Sequence, residues 1–573
     1  MEDSANKSIT ASANLTEPTR TQPTHDLRHW CCADSISIVL LIILAVQLIL
    51  SSGRISATYD EQYHIAIGLY YLNRGDPGLI PAHPPFIAAL ATLPLLTNRN
   101  LVVPSREPGT PSLSNLAYSD QLLWRLNPNG PSIVARARLP IIGLTLLLAI
   151  TVYAWTRELF GPISGLLALT LLTFDPNILA HGNLVTNDIG VTCFATLTLY
   201  TFWRWMNRPT PARAVIAGLM LGLAQVSKFS AVYLIPVVII ILLTDRILKS
   251  TTAASRLSAK TTLAYLTIIA LAAYCAIWVV YGFNVGTLKG YPFPAREYIT
   301  GLQAATTLIG GGKDSFLLGA YSPDGWWYYF PIAFAVKTPL PTLILLGATF
   351  VFVYRRGTRS STLPLLIPVV IYFAICLASP FDIGYRHLLP LLPCLFIFTS
   401  QLALIEWKTS RAGTAAVSAI VVWLTVGSVA IFPHYLAFFN EIAGGPQNGY
   451  KILVDSNLDW GQGLIGLRKY MTQENIPSVK LSYHGPADPA AYGVVYEPLP
   501  SYPYNQWTSD TVPDSLLNPP SGVYAISANN LQGLRFKNHD LYAAFRQRKP
   551  DAVVGHSIFI YRINNTGKGT PLK

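Results

Sequence analysis

The sequence predicts an all-α polytopic membrane protein of about eleven transmembrane helices, followed by a small external α/β domain at the C-terminus. Hydrophobic residues make up 51% of the 573 residues, and Asp, Glu, Lys and Arg together make up only 12%, about half the charged fraction of a soluble protein. Many apolar runs approach the ~20 residues that a helix needs to cross ~30 Å of hydrocarbon. After residue 433 the composition becomes polar and rich in Pro and Tyr.

The formal net charge of +12 is explained by the membrane. Most Lys and Arg residues fall in short connections between apolar runs, which is the positive-inside pattern. We therefore expect a lipid bilayer and no nucleic acid as a partner. The N-terminus is expected in the cytoplasm and the C-terminal domain outside, at the plasma (inner) membrane if the source is bacterial.

Three regions are expected along the chain. Residues 1–33 are polar and are expected to form a disordered cytoplasmic tail. Residues 34–432 form the transmembrane domain, with 53–131 as a long first external loop, and residues 433–573 form the external soluble domain. The expected spans lie near 34–52, 139–156, 162–178, 188–205, 214–227, 229–245, 261–281, 338–354, 362–378, 387–404 and 413–432.

Some apolar stretches are not expected to be upright spans. IAIGLYYL and FIAALATLPLL in the first external loop are too short to cross, so we expect helices in the membrane interface. Pro339 and Pro341 should break the helix that follows the aromatic run 326–334. The short spans near 214–227 and 229–245 should meet at Lys228.

The C-terminal region shows patterns of both secondary-structure types. VKLSYHG, GVYAISA and SIFIYRI are typical of strands, and GQGLIGLRKYM is typical of a helix. The stretch DSNLDWG opens like a calcium loop, but Trp460 occupies the sixth position, where glycine is required, and Gly466 the twelfth. We interpret it as a turn before the helix.

Two adjacent carboxylates, Asp60 and Glu61, stand just beyond the first span. By the expected topology the other unusual polar residues collect at the same membrane face, which indicates a site for something both polar and lipid-linked. The candidates for binding that substrate are His64, His83, Arg138, Asp188, Lys228, Lys337 and Arg386.

The spacing of the acids favours a single base. Adjacent helical residues point ~100° apart, so Asp60 and Glu61 diverge, whereas Asp60 and His64 share a face. A glycoside hydrolase needs an acid for its leaving group. A transferase that uses a phosphate-activated sugar needs one carboxylate as the base and cations to hold the phosphate. The candidate residues, one acidic centre surrounded by Lys and Arg, match that requirement.

Structural alternatives stay open for these residues. Lys228 and Lys337 are also explained as snorkelling lysines at helix ends, and Asp188 as a helix cap. Arg386 and His387 also fit a structural pair. A divalent cation held by Asp60, Glu61 and His83 is possible chemically, although no fixed ligand spacing argues for one.

Four short motifs carry a family resemblance: the DE pair at 60–61, HPPF at 83–86, ARLP at 137–140 and LVTND at 184–188. In this order they resemble the C-type (GT-C fold), polyprenyl-phosphate-dependent glycosyltransferases. The chain is similar to glycosyltransferase family 39, which includes the protein O-mannosyltransferases and the aminoarabinose transferases of lipid A. The resemblance covers roughly residues 34–432.

This resemblance implies a function. Asp60 would be the catalytic base with Glu61 as the second acid, and His83 would lie near them. Arg138, Lys337 and Arg386 would hold the carrier phosphate of a sugar on undecaprenyl or dolichyl phosphate, and transfer would invert the anomeric carbon. The β-trefoil insertion of the eukaryotic mannosyltransferases is not visible in the sequence, so the acceptor, whether protein, lipid or glycan, stays open.

Two other functions fit a polytopic protein. A lipid-linked sugar transporter or flippase would carry ionisable residues near the midplane and two related halves, and the sequence shows no internal repeat. A non-catalytic envelope assembly factor would use residues 433–573 as its binding module.

Overall fold

The computed structural model describes residues 27–104, 114–248, 252–356, 359–405 and 411–564. Within these ranges the chain forms a helical bundle and one five-stranded sheet, together with two short hairpins. The α-helices are α1 (Leu27–Ser52), α2 (Tyr59–Arg74), α3 (Phe86–Thr92), α4 (Asn115–Asp120), α5 (Gly130–Phe160), α6 (Pro162–Thr173), α7 (Pro176–His181), α8 (Asn187–Asn207), α9 (Pro211–Ser227), α10 (Leu234–Ile247), α11 (Ala259–Val280), α12 (Arg296–Gly310), α13 (Tyr329–Lys337), α14 (Leu340–Arg356), α15 (Arg359–Leu377), α16 (Leu392–Thr399), α17 (Arg411–Ala430), α18 (Leu464–Gln473), α19 (Asp514–Leu517), α20 (Ala528–Leu531) and α21 (Ala543–Arg546).

The strands are confined to two places. Two hairpins flank α12, and the sheet lies in the C-terminal region. The strands are β1 (Val285–Leu288), β2 (Tyr291–Pro294), β3 (Ser315–Leu317), β4 (Ala320–Ser322), β5 (Val479–Ser482), β6 (Tyr496–Pro498), β7 (Gly522–Ser527), β8 (Ala552–Val554) and β9 (Ile558–Ile563).

The bundle belongs to an integral membrane protein. Among the described residues six helices are long and apolar enough to cross a membrane, or seven if the bent pair α13–α14 counts as one span. The remaining expected spans, near 162–178, 188–205, 214–227 and 362–378, hold helices that are shorter or more polar. Every expected span therefore contains a helix, but the count of about eleven crossings stays a prediction. The six are Cys32–Ser52, Gly130–Phe160, Phe229–Ile247, Ala259–Val280, Tyr385–Leu404 and Arg411–Ala430.

The predicted helix breaks are confirmed. α13 and α14 meet at 108° around Pro339, because proline removes a backbone donor and clashes with the preceding turn. α9 ends at Ser227, and Lys228 is extended (φ −159°, ψ 134°) before a 3₁₀ turn begins at Phe229. Lys228 therefore lies at the junction between two helical segments.

The first helix begins earlier than expected. Residues 27–33, which the sequence assigned to a disordered tail, form the first turns of α1. An apolar run shows where a helix is buried in lipid, but its polar first turns carry no such signal. The rest of the expected tail, residues 1–26, lies outside the described residues.

The first loop is built around α2. Thr58 and Glu61 form a capping box at its start, and Gly75 ends it in the left-handed conformation. α2 packs closely on α3, since a Cβ on Gly68 would lie 2.1 Å from the Ala88 carbonyl oxygen. Both apolar pieces of this loop are therefore helical and packed together.

The C-terminal sheet is mixed, with strand order β6–β5–β7–β9–β8. β5 pairs in parallel with β6 and β7, and β9 pairs antiparallel with β7 and β8. The three strands and the helix predicted from the sequence are present, the helix as α18. One hydrophobic core runs from Leu44 in the bundle to Tyr561 in the sheet, so bundle and sheet are packed as a continuous body.

Candidate active site

A cavity of about 440 Å³ lies where the first loop meets the starts and ends of several helices. Its polar lining comes from α2, the α2–α3 loop, the start of α8, the α9–α10 junction, the loop after α12 and residues 379–387. These polar residues are Asp60, His64, His83, Asn187, Asp188, Lys228, Ser230, Lys313, Ser379, Arg386 and His387. The apolar lining comes from Ala82, Phe229, Ala305, Leu308, Ile309, Phe381 and Ile383.

Four charged side chains form a continuous chain along one wall. Arg386 Nη1 donates to Asp60 Oδ2 at 2.7 Å and lies 3.4 Å from Asp188 Oδ2. Lys228 Nζ donates to the other oxygen of Asp188 at 2.6 Å. Thr186, rather than Asp188, caps α8 with its side chain. Asp188 therefore serves as a bridge between two cations, which the capping interpretation did not foresee.

Asp60 is an ionised carboxylate. Burial, the largest single effect, raises its pKa, but the charge and hydrogen bond of Arg386 together with the other neighbouring groups, Lys313 among them, lower the pKa of Asp60 below its ordinary value. Arg386 engages Oδ2, and Oδ1 has no hydrogen-bond partner among the described residues. One oxygen of the base is thus held in place while the other is available to a ligand.

The two histidines of the first loop are neutral. Burial lowers the pKa of His64 to about 3 and also lowers the pKa of His83. Their rings lie edge to face, 5.1 Å apart. Neutral imidazoles beside Asp60 can offer hydrogen bonds but add no positive charge.

Glu61 faces away from the cavity. Its carboxylate accepts two hydrogen bonds from Arg138, at 2.8 and 2.6 Å, and one from the Val185 backbone N–H at 3.1 Å. Arg138 also donates to the carbonyls of Ser52, Ile55 and Ser56. Both side chains are at most 2% exposed. The pair ties the first loop to α5 and to the LVTND segment.

Arg138 and Lys337 do not reach the cavity, contrary to the phosphate-binding role expected for them. All five N–H bonds of Arg138 are used within the protein, so none remains for a phosphate. Lys337 Nζ donates to the carbonyls of Leu436 and Asn457 at 2.8 and 2.5 Å. Both cations stabilise buried backbone instead.

No metal cluster is apparent in the part of the chain that the structure describes. There, no group of three or more His, Cys, Asp and Glu side chains is arranged to hold a metal ion. Asp60 and His83 line the cavity, whereas Glu61 does not, because its carboxylate accepts hydrogen bonds from Arg138. These residues do not fit the divalent cation that the sequence left possible.

Lys313 was missed by the sequence interpretation. It follows Gly310–Gly312 at the end of α12, and Gly312 has φ +66°, a conformation that favours glycine. Lys313 lines the cavity, and its side-chain ammonium makes no hydrogen bond to any described residue. Its Nζ lies 5.9 Å from the Phe381 ring centroid. The run of glycines before a lysine was the only sequence signal for it.

The C-terminal region supports the site, which the sequence also did not show. The Trp460 ring lies 4.3 Å below the guanidinium of Arg386, a cation–π contact. The Trp460 carbonyl accepts from the Tyr59 N–H at 2.7 Å, and Asn457 Oδ1 accepts from the Tyr385 N–H at 2.8 Å. Residues 457 and 460, in the C-terminal region, thus help to position both Asp60 and Arg386.

Several polar atoms around the cavity lack hydrogen-bond partners among the described residues. They belong to four side chains whose other atoms line the cavity wall. The atoms are His64 Nδ1, Asn187 Oδ1 and Nδ2, Arg386 Nε and His387 Nε2. Each buried polar group without a partner costs about 1–3 kcal/mol of stability. A cluster of such groups around one cavity is typical of a site in which a bound ligand supplies the missing hydrogen bonds.

Residues 134–281 match the family model described as dolichyl-phosphate-mannose-protein mannosyltransferase. These residues include the ARLP and LVTND motifs and the Asp188–Lys228 pair. The match confirms the predicted resemblance to polyprenyl-phosphate-dependent membrane glycosyltransferases. A search of curated proteins finds no match.

Two of the solved structures that are similar to the chain are the following. ArnT from Cupriavidus metallidurans bound to undecaprenyl phosphate has 12% identity and a TM-score of 0.44, covering 91% of this chain and 97% of that one. Archaeal oligosaccharyltransferase AglB from Archaeoglobus fulgidus, with an inhibitory peptide and a dolichol-phosphate, has 13% identity and a TM-score of 0.45, covering 84% and 62%.

Proposed function

We propose that this chain, similar over residues 134–281 to the dolichyl-phosphate-mannose-protein mannosyltransferases, is an integral membrane glycosyltransferase. It transfers a sugar from a polyprenyl-phosphate donor, on undecaprenyl or dolichyl phosphate, to an acceptor on the external face of the membrane. The single observation that carries this proposal is the cavity in which an ionised carboxylate, three cations and an apolar wall meet.

Asp60 acts as the base. Its free Oδ1 takes the proton of an acceptor hydroxyl or amine as the acceptor oxygen or nitrogen attacks C1 of the sugar. The bond between C1 and the phosphate oxygen breaks, and the electron pair leaves with the polyprenyl phosphate. A single displacement of this kind inverts C1. No general acid is needed, because phosphate is a stable leaving group, and only one carboxylate is oriented as a base.

The donor phosphate is held by Lys228, Lys313 and Arg386, which line the same cavity. Lys228 and Arg386 are each balanced by a carboxylate. Lys313 has no carboxylate within salt-bridge distance among the described residues and is free to approach the phosphate. Cations placed where negative charge develops on the leaving group stabilise the transition state. In this proposal Arg138 and Lys337 stabilise the scaffold.

The experiment is mass spectrometry of lipid-linked sugars, glycans and glycoproteins from membranes of cells with and without the protein. We expect one polyprenyl-phosphate sugar to accumulate when the protein is lost and one glycoconjugate to lose that sugar. Both changes should be reversed by the wild-type gene.

A flippase would give a different outcome. Labelled polyprenyl-phosphate sugar would then cross the bilayer of proteoliposomes containing an Asp60→Asn protein. An unchanged set of lipid-linked sugars and glycoconjugates after loss of the protein would overturn the proposal.

A further inference from the structure

The loop that carries Lys313 is held by the C-terminal region. The hairpin β3–β4 follows this loop directly, and its Tyr321 hydroxyl donates to the Gln532 carbonyl at 2.5 Å. The Tyr321 ring is also stacked on His539, with the two ring centroids 3.8 Å apart. Residues more than two hundred positions further along the chain therefore limit where the Lys313 loop can lie.

Arg535 joins the same loop to a buried carboxylate. Its Nη1 donates to the carbonyl of Asp314, the residue after Lys313, at 3.2 Å. Its Nη2 donates to Asp455 Oδ2 at 2.5 Å. The Arg535 and Asp455 side chains are only 6% and 10% exposed. One guanidinium thus contacts both the backbone beside Lys313 and an acid of the C-terminal region.

The Asp455 carboxylate is fixed in place. Its backbone is in the left-handed conformation (φ +59°), which is uncommon for a residue other than glycine. The Asp455 N–H donates to Asn529 Oδ1 at 2.5 Å, and Asp455 Oδ1 accepts from the Ser456 N–H at 2.7 Å. Its other oxygen, Oδ2, is the one that Arg535 engages. Removal of Arg535 would therefore leave this oxygen without its cation.

Lys313 lies within the electrostatic reach of that carboxylate. Burial lowers the pKa of Lys313, and among the carboxylates around it Asp455 opposes this shift most strongly, ahead of Asp60. Burial also raises the pKa of Asp455, but Arg535 and then Lys313 lead the opposing effects, and the net result is a lowered pKa. Asp455 is thus an ionised group that attracts both cations.

We propose that Arg535 is a positioning residue for the phosphate site: by occupying the Asp455 carboxylate, it keeps the Lys313 ammonium available to the donor phosphate. A buried carboxylate that loses its cation needs another, and Lys313 would supply it by turning out of the cavity. This inference rests on the proposed function, because it uses Lys313 as a ligand of the phosphate.

The test is equilibrium binding of radiolabelled farnesyl phosphate to the purified full-length protein in detergent. Arg535→Gln should weaken binding about tenfold, because Lys313 then loses its contact with the phosphate. In a Lys313→Ala background the same substitution should cause no further loss, since both changes remove one contact.

Arg546→Gln is the matched control. Arg546 is another arginine of the C-terminal region, and its hydrogen bonds go to Leu531, His539 and Asp540. It is absent from the cavity lining. Its affinity for farnesyl phosphate should equal that of the wild type.

A substitution of Asp455 separates this role from a merely structural one. Asp455→Asn alone should bind farnesyl phosphate like the wild type. Arg535→Gln/Asp455→Asn should bind as tightly as Asp455→Asn, because no carboxylate then competes for Lys313. This comparison stands even if Arg535→Gln alone does not fold. A loss of affinity caused by general damage to the fold would not be repaired by a second buried substitution.

Three results would overturn the positioning role and leave the proposed function intact. They are wild-type affinity in Arg535→Gln, a further loss when Arg535→Gln is added to Lys313→Ala, and weaker binding by Arg535→Gln/Asp455→Asn than by Asp455→Asn. If the wild-type protein bound no farnesyl phosphate at all, the proposed function itself would fail.

Discussion

Arg386 donates a hydrogen bond of 2.7 Å to the carboxylate of Asp60, although 326 residues separate them in the chain. The guanidinium is itself held over the Trp460 ring. Burial raises the pKa of Asp60, but Arg386, the largest of the opposing influences, and the other charges around the cavity together lower it, so the carboxylate stays ionised. The pair therefore prepares the proposed base for proton transfer.

The pH dependence of transfer should report this pair. In an Arg386→Gln protein, burial is no longer opposed by Arg386, so the pKa of Asp60 rises and the base becomes protonated at a higher pH. We expect the acidic limb of the kcat/KM profile to move to higher pH, whatever the loss in absolute rate. The measurement is transfer at a series of pH values from purified protein.

Arg125→Gln is the control for that profile. Arg125 pairs with Asp120 and Asp488 near the surface and is absent from the cavity lining. Its profile should match that of the wild type. An acidic limb that stays in place in Arg386→Gln would contradict the assignment of Asp60 as the base.

The Glu61–Arg138 pair should matter for stability rather than for chemistry. Glu61→Ala leaves a buried, uncompensated guanidinium, and breaking such a pair costs about 3–5 kcal/mol. We expect a large fall in the thermal unfolding temperature in detergent.

Arg125→Ala, which removes the exposed arginine that pairs with Asp120 and Asp488, should cost no more than about 1 kcal/mol. If Glu61→Ala were as stable as Arg125→Ala while transfer was abolished, Glu61 would belong to the catalytic machinery instead.

Lys313 should contribute directly to phosphate affinity. Lys313→Ala should weaken binding of farnesyl phosphate by roughly ten- to a hundredfold, the range expected for a lost charge-assisted hydrogen bond. Binding can be followed by the shift of the unfolding temperature. Lys289→Ala is the matched control, since Lys289 is an exposed lysine in the β1–β2 hairpin. Equal affinities of the two variants would remove Lys313 from the phosphate site.

The all-α membrane class was predictable because an apolar run of about 20 residues is by itself enough to indicate a transmembrane helix. The breaks at Pro339 and Lys228 were predictable from local chemistry, and the three strands from their composition. The start of α1 was not, since its polar first turns resemble a tail. The number of crossings stays open because several helices are short or partly polar.

The site was only partly predictable, for a geometric reason. The sequence predicts that a charged residue lies near a membrane face, but it does not predict which side chain or backbone group that residue contacts. Arg138 and Lys337 were expected at a phosphate, yet neither lines the cavity and both donate to acceptors within the protein. Lys313 and Trp460 were missed because their roles depend on contacts across hundreds of residues. Asp60 was singled out because a carboxylate beside a span is rare; it lines the cavity, and its role as the base stays a prediction.

The most direct test of the proposed reaction is turnover by an Asp60→Asn protein. The wild-type and variant proteins would be purified and supplied with a panel of synthetic polyprenyl-phosphate sugars and a membrane extract as the source of acceptor. Release of polyprenyl phosphate would be measured. We predict that the wild type consumes one of the donors and releases polyprenyl phosphate. The Asp60→Asn protein should fold and bind farnesyl phosphate but should release no polyprenyl phosphate from any donor. Near-normal turnover by Asp60→Asn would contradict the assignment.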